Sequence, residues 1–142
     1  MSQFSAATRS TVVERARGRC EYCHLPTRGQ VATFPIDYVT PRTAGGTDSL
    51  DNIALACPHC NARKWAFTDG TDRETAELVR LFNPRTDNWP EHFRWSAAEW
   101  GTLVGLTPNG RATIDRLQMN APDLVAVRRL LAALGVAPEA AG

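Results

Sequence analysis

Lysine is nearly absent from this sequence: of 16 basic residues, Lys64 alone is not arginine. Codon usage explains that bias as well as phosphate recognition does, so the arginine excess by itself argues for no ligand. No run of 18 apolar residues occurs, which excludes a membrane-spanning helix. No apolar leader follows Met1, so an oxidising compartment is not indicated and the cytoplasm is the expected location. Neither sign of charge dominates. The 16 basic residues face 15 acidic ones, and a net charge of +1 is no argument for nucleic acid. There is no internal repeat and no low-complexity segment. Cysteine is sparse too, with four residues, all between positions 20 and 60 and none left over.

Those four cysteines are the first positive signal. Cys20/Cys23 and Cys57/Cys60 are two C-x-x-C pairs separated by one long loop, the usual spacing of a tetrahedral four-thiolate zinc site. Two disulfides or free core thiols are the plainer alternative, and a redox C-x-x-C is another. The redox reading needs no second matching pair, and no βαβ pattern surrounds either pair. His24 adjoins the first pair, but four cysteines already complete a tetrahedron. Charge is also unevenly placed. Residues 1–64 hold eight Lys/Arg against five Asp/Glu, and residues 65–142 hold eight against ten. The cysteine half is therefore the electropositive half, as a phosphate-binding face requires.

Between the cysteine pairs run Phe34-Pro35-Ile36-Asp37-Tyr38-Val39-Thr40-Pro41-Arg42, then Gly45-Gly46, then Ser49-Leu50-Asp51-Asn52-Ile53-Ala54-Leu55. Cys57-Pro58-His59-Cys60-Asn61-Ala62-Arg63-Lys64 closes the stretch. In this order and spacing, residues 20–64 resemble the HNH endonuclease family of the ββα-metal class, in its four-cysteine variant with Asn as the last metal ligand. The resemblance implies Asp37 and Asn61 as ligands of a catalytic Mg²⁺ or Mn²⁺, and Asn52 as the residue that orients the base and pins the loop. One position departs. Tyr38 stands where the family places its general-base histidine, so the resemblance speaks more directly for the fold and the zinc site than for cleavage.

The expected fold class is α+β: a ββα-metal core stapled by a four-cysteine zinc site, with a mainly helical C-terminal extension. The expected division is residues 1–68 and 69–142, with the extension packed on the first part and one domain overall as the alternative. Thr11-x-x-Glu14 predicts a short helix to about Arg17, with Gly18 as its stop and Arg9, Arg15, Arg17 and Arg19 as a basic face. Phe34–Val39 and Ile53–Ala56 read as strands, and Cys57 to about Phe67 as a helix with Pro58 in its first turn. Thr71-x-x-Glu74 is a second capping box, predicting a helix to about Leu81. Trp89, His92, Phe93, Trp95 and Trp100 make an aromatic connector, expected to be core rather than a base-stacking surface. Leu103–Leu106 reads as a strand. Helices are predicted from Thr107-Pro108 to about Met119, and from Asn120-Ala-Pro122 to Gly135 with Leu124, Val127, Leu130, Leu131 and Leu134 inward. Leu81–Arg85, Gly105–Thr113 and Met119-Asn120 also resemble an extension found in one bacterial group of HNH proteins, a likeness that carries no activity with it.

An enzyme of this kind must hold a cation, activate a water, stabilise a pentavalent phosphate and protonate a leaving oxygen. Arg42, Arg63 and Lys64 are the expected phosphate contacts, on one face with Asp37, and double-stranded DNA is the expected partner. Tyrosine has a reference pKa of ~10, so only about one in a thousand is phenolate at pH 7. Three functions follow: a DNA endonuclease, slow because Tyr38 replaces the base; an impaired HNH fold that binds nucleic acid without cutting; and a structural zinc module. Tyr38 is expected to project into the cleft beside Asp37 and Asn61.

Overall fold

The computed structural model describes residues 4–136. Helix α1 (Ala6–Arg15) starts five residues before the predicted capping box, because Ser5 is the working cap and its hydroxyl accepts from the Thr8 amide at 3.0 Å. Thr11 lies inside the helix and bonds back to the Ala7 carbonyl. Arg17 and Gly18 then take positive φ and end it. The basic face of α1 is partly structural. Arg9 donates to the Phe34 carbonyl, and Arg15 to those of Leu50 and Ile53 at 2.6 Å each.

Strands β1 (Ile36–Tyr38) and β2 (Ile53–Leu55) pair antiparallel with Asp37 opposite Ala54. Successive side chains alternate, so Asp37 faces the interior while Ile36 and Tyr38 remain half-buried. Helix α2 (Pro58–Lys64) follows β2 at once, with Cys57 as N-cap and Pro58 at N1. Strand, loop, strand, helix is the ββα order that the sequence predicts.

The C-terminal part is less helical than expected. Its elements are the hairpin β3 (Asp69–Thr71) and β4 (Leu78–Arg80), the short helix α3 (Trp89–His92), the hairpin β5 (Phe93–Trp95) and β6 (Leu103–Gly105), and helices α4 (Pro108–Leu117) and α5 (Pro122–Ala133). The predicted helix from Thr71 is absent. Asp72 takes the cap: its fully buried carboxylate accepts from the Glu74 and Thr75 amides and from the Arg111 guanidinium, the latter at 2.8 and 3.1 Å. Arg111 lies on α4, so a distant ion pair turns the chain back as a hairpin and overrides the local pattern.

On α5 the inward positions are Leu124, Val125, Arg128 and Leu131, whereas Leu130 and Leu134 are exposed against expectation. Arg128 is fully buried. It donates to the Gly101 carbonyl at 2.7 Å and lies over the Trp95 ring at 5.3 Å.

One cluster of buried side chains runs from Val12 to Leu131. Trp89 is one tie between the two parts of the chain. Its indole stacks on His24 at 3.9 Å and donates to the Tyr22 carbonyl at 2.8 Å. His59 meets the Gln118 carbonyl at 2.8 Å, and Glu21 pairs with Arg85. Of the aromatic connector, Trp89 and Phe93 are core as expected, His92 and Trp95 are half-buried, and Trp100 is exposed.

Candidate functional site

Both C-x-x-C pairs sit where a turn frees backbone amides. The Cys20 sulfur accepts from the Cys23 amide, and the Cys57 sulfur from the Cys60 amide. The turn closed by the Arg19–Pro26 bridge and the start of α2 bring all four sulfurs within 4.8 Å of one another, every one fully buried. No disulfide joins them. Four thiolates at ~2.3 Å from one zinc ion lie about 3.8 Å apart along each tetrahedral edge, and the Cys23–Cys57 separation is 3.7 Å. Burial pushes the Cys20 thiol well above its ordinary value, with Cys23 and Cys57 adding to the rise and Cys60 opposing it, whereas Cys23, against its own burial, is drawn well below by hydrogen bonds from the other three sulfurs. Four thiols in a dry pocket therefore need a dication to ionise together, and the cluster is compatible with a structural zinc. His24 stands outside the set. Burial, with Arg19 second, lowers its pKa to about 4.

Asp37 is the centre of the second constellation, and it is 4 % exposed. The Tyr22 hydroxyl donates to its Oδ2 at 2.6 Å, and the Lys64 ammonium lies 3.1 Å from Oδ2 and 3.3 Å from Oδ1. Lys64 also donates to the carbonyls of Tyr38 and Val39 and is only 2 % exposed. Burial raises the Asp37 pKa from its ordinary value, against the opposing pull of Lys64 and Tyr22. Against expectation, Lys64 is not a surface phosphate contact. It serves as an internal counter-ion, and its ammonium is out of reach of a solvent-borne phosphate.

Asn52 pins the loop between the strands. Its carbonyl oxygen accepts from the Thr40 amide, and its NH₂ donates to the carbonyls of Thr40 and Thr47, at 2.8–3.0 Å. The loop closes over Gly46, where a Cβ would fall 1.8 Å from the Thr40 carbonyl oxygen and 2.8 Å from the Asn52 amide nitrogen. Only glycine fits there. Gly46→Ala is expected to shift this loop and destabilise the chain by about 1–3 kcal/mol, read as a lower thermal midpoint. An unchanged midpoint would show that the loop is not held as described.

Tyr38 does not join Asp37. Its hydroxyl donates to Asp48 Oδ1 at 2.7 Å, and the Arg42 guanidinium lies 5.9 Å from its ring centroid. The phenol pKa is raised, first by desolvation and then by the hydrogen bond and negative charge of Asp48, so Arg42 does not make it a phenolate. Arg42 and Arg63 are exposed, and Asn61 is half-buried on α2, one turn before Lys64. The structure thus gathers Asp37 and Lys64 directly, leaves Arg42 beside Tyr38, and turns the phenol to a different carboxylate. Two residues escaped the sequence reading. Tyr22 sits inside the first cysteine pair, where it reads as packing, and Asp48 sits in a polar loop with no motif of its own.

Residues 20–66 match the model of the family described as HNH endonuclease. Those residues, a third of the chain, are similar to that family and include all four cysteines of the buried cluster. No curated protein matches the chain, and no solved structure does. No helix among the described residues is long and apolar enough to cross a membrane.

Proposed function

We propose that the chain is a cytoplasmic HNH-type endonuclease that hydrolyses phosphodiester bonds in double-stranded DNA with the help of one divalent cation, slowly at neutral pH. The observation that carries this reading is the intact frame: β1 and β2 in register, the loop fixed by the three hydrogen bonds of Asn52, and α2 locked to β1 through Lys64. Asp37 and Asn61 offer hard oxygen donors of the type that Mg²⁺ or Mn²⁺ prefers. A cation there would polarise a phosphoryl oxygen and acidify water. Both Asp37 oxygens are engaged by Lys64 and Tyr22, so the ammonium must give way before the carboxylate can serve as a ligand. Arg42 and Arg63 are exposed and available to phosphate oxygens, and Tyr38, with Asp48 behind it, stands in the base position.

A raised phenol pKa means that phenolate is scarce at pH 7 and grows as pH rises, so cleavage should increase into the alkaline range. Plasmid nicking measured against pH tests this. Tyr38→His is expected to move the rise to near neutrality, and Tyr38→Phe to abolish cutting. Cutting unchanged in Tyr38→Phe would remove Tyr38 from the chemistry. A second reading, binding without cutting, is favoured by the closed Asp37–Lys64–Tyr22 arrangement. It predicts DNA retention at low salt with no nicking by the wild type or by Tyr38→His.

A further inference from the structure

Helix α2 ends on an unusual residue. Trp65 is 74 % exposed and has φ 46° and ψ −118°. The Phe67 amide bonds the Lys64 carbonyl at 2.8 Å, so Trp65 is the first central residue of a tight turn, in the type II′ conformation that favours glycine. An indole here is disfavoured twice, by its backbone and by its contact with water. Phe67, 37 % exposed, meets it edge-on with ring centroids 6.0 Å apart. The Arg116 guanidinium covers Phe67 at 3.8 Å from the ring centroid, held by the Asp69 carbonyl. Arg63 is exposed and bonds the His59 carbonyl of its own helix. Neither arginine is in an ion pair among the described residues, and Asp115, next to Arg116, pairs with Arg73. The turn is anchored from below, because the preceding residue, Lys64, is fixed on Asp37.

We propose that Trp65 and Phe67 form a stacking platform for unpaired bases, with Arg63 and Arg116 meeting the adjoining phosphates. The preferred nucleic acid then carries a single-stranded segment, such as a flap, gap or overhang, next to duplex. This rests on the nucleic-acid reading above and narrows its substrate class. Base stacking on an aromatic ring is tolerant of sequence, and arginine planes stack alongside. Charge complementarity selects this occupant: an apolar face rimmed by two guanidinium groups outside any ion pair suits a polyanion with flat bases.

Fluorescence anisotropy with the zinc-loaded full chain provides the test, using labelled oligothymidylate and a blunt duplex at one fixed salt concentration. Trp65→Ala is expected to weaken oligothymidylate binding by roughly ten- to a hundred-fold, with blunt-duplex affinity held within about two-fold. Trp65→Phe should retain most of the affinity. Trp65→Gly suits the turn, so it should raise the thermal midpoint while losing oligothymidylate binding, a split that a purely structural residue would not give. If both the Ala and the Gly variants bind oligothymidylate like the wild type and the duplex is still bound, the platform is wrong and the nucleic-acid reading stands. If the wild type binds neither DNA, that reading fails and takes the platform with it. A concentration-dependent dimer that Trp65→Ala abolishes would assign the patch to a second copy of the chain and overturn the proposal.

Discussion

Cys57→Ala is expected to leave the chain unfolded at 25 °C. Cys57 is fully buried, caps α2 through its sulfur and faces the other three thiols at the end of β2. Apparent zinc-binding free energies for structural sites are about 10–16 kcal/mol near neutral pH, whereas whole domains are stable by only about 5–15 kcal/mol. Loss of one thiolate therefore removes a share of stability comparable to the total. Far-UV circular dichroism should lose its helical signal, and metal analysis should fall from one zinc per chain to a small fraction. The same collapse should follow from a strong chelator on the wild type, while a reductant alone should have no effect. A cooperative melt within a few degrees of wild type, or a wild type without zinc, would contradict the four-thiolate site.

The second large effect is expected at Lys64. In the wild type its ammonium and the Asp37 carboxylate neutralise each other in the interior. Lys64→Met leaves a buried carboxylate with Tyr22 as its one remaining side-chain donor, and breaking such a pair from one side costs about 3–5 kcal/mol. The pH dependence has a defined sign. Asp37 is already raised above its ordinary value by burial, and loss of Lys64 raises it further. A group raised in the folded state stabilises the fold in its protonated form. The deficit of Lys64→Met should accordingly shrink as pH falls toward about 4 and be largest near neutrality. Asp37→Leu combined with Lys64→Met should recover most of the loss, since removing both charges leaves no ion unpaired. Urea melts of the two single variants and the double variant measure this. A Lys64→Met cost under about 1 kcal/mol, typical of a surface pair, would show that the ion pair is not buried as described.

Legibility in the sequence follows the range of the interaction responsible. The cysteine pairs are readable because each C-x-x-C turn is local and its amides serve its own sulfur. Helix α4 is readable for the same reason: Thr107 accepts from the Gly110 amide three residues on, with Pro108 at N1. The ββα order follows the strand and helix signals, and the role of Asn52 as a loop pin comes from the family resemblance, which the three hydrogen bonds of its side chain match. The β3–β4 hairpin does not, because its deciding contact, Asp72 with Arg111, spans 39 residues. Arg128 cannot be placed either, since its partners Trp95 and Gly101 come from the β5–β6 hairpin and its loop. The periodic leucine pattern on α5 places Leu124 and Leu131 in the core and Val127 at its edge, but misplaces Leu130 and Leu134, which are exposed. At the site, a charge beside a motif reads equally well as a phosphate contact or as an internal counter-ion. Only the packing of α2 on β1 decides that for Lys64, and only the alternation along β1 separates Asp37 from Tyr38.

The most direct test of the nuclease account is supercoiled-plasmid nicking by the zinc-loaded chain. Each reaction is run with Mg²⁺ or Mn²⁺ and with a chelator too weak to strip the zinc, beside Asp37→Asn of confirmed fold. The account predicts open-circle DNA that accumulates only with added cation, faster at alkaline pH, and is absent for Asp37→Asn. Equal nicking by Asp37→Asn, or no nicking by a folded, DNA-binding wild type at any pH with either cation, would contradict it.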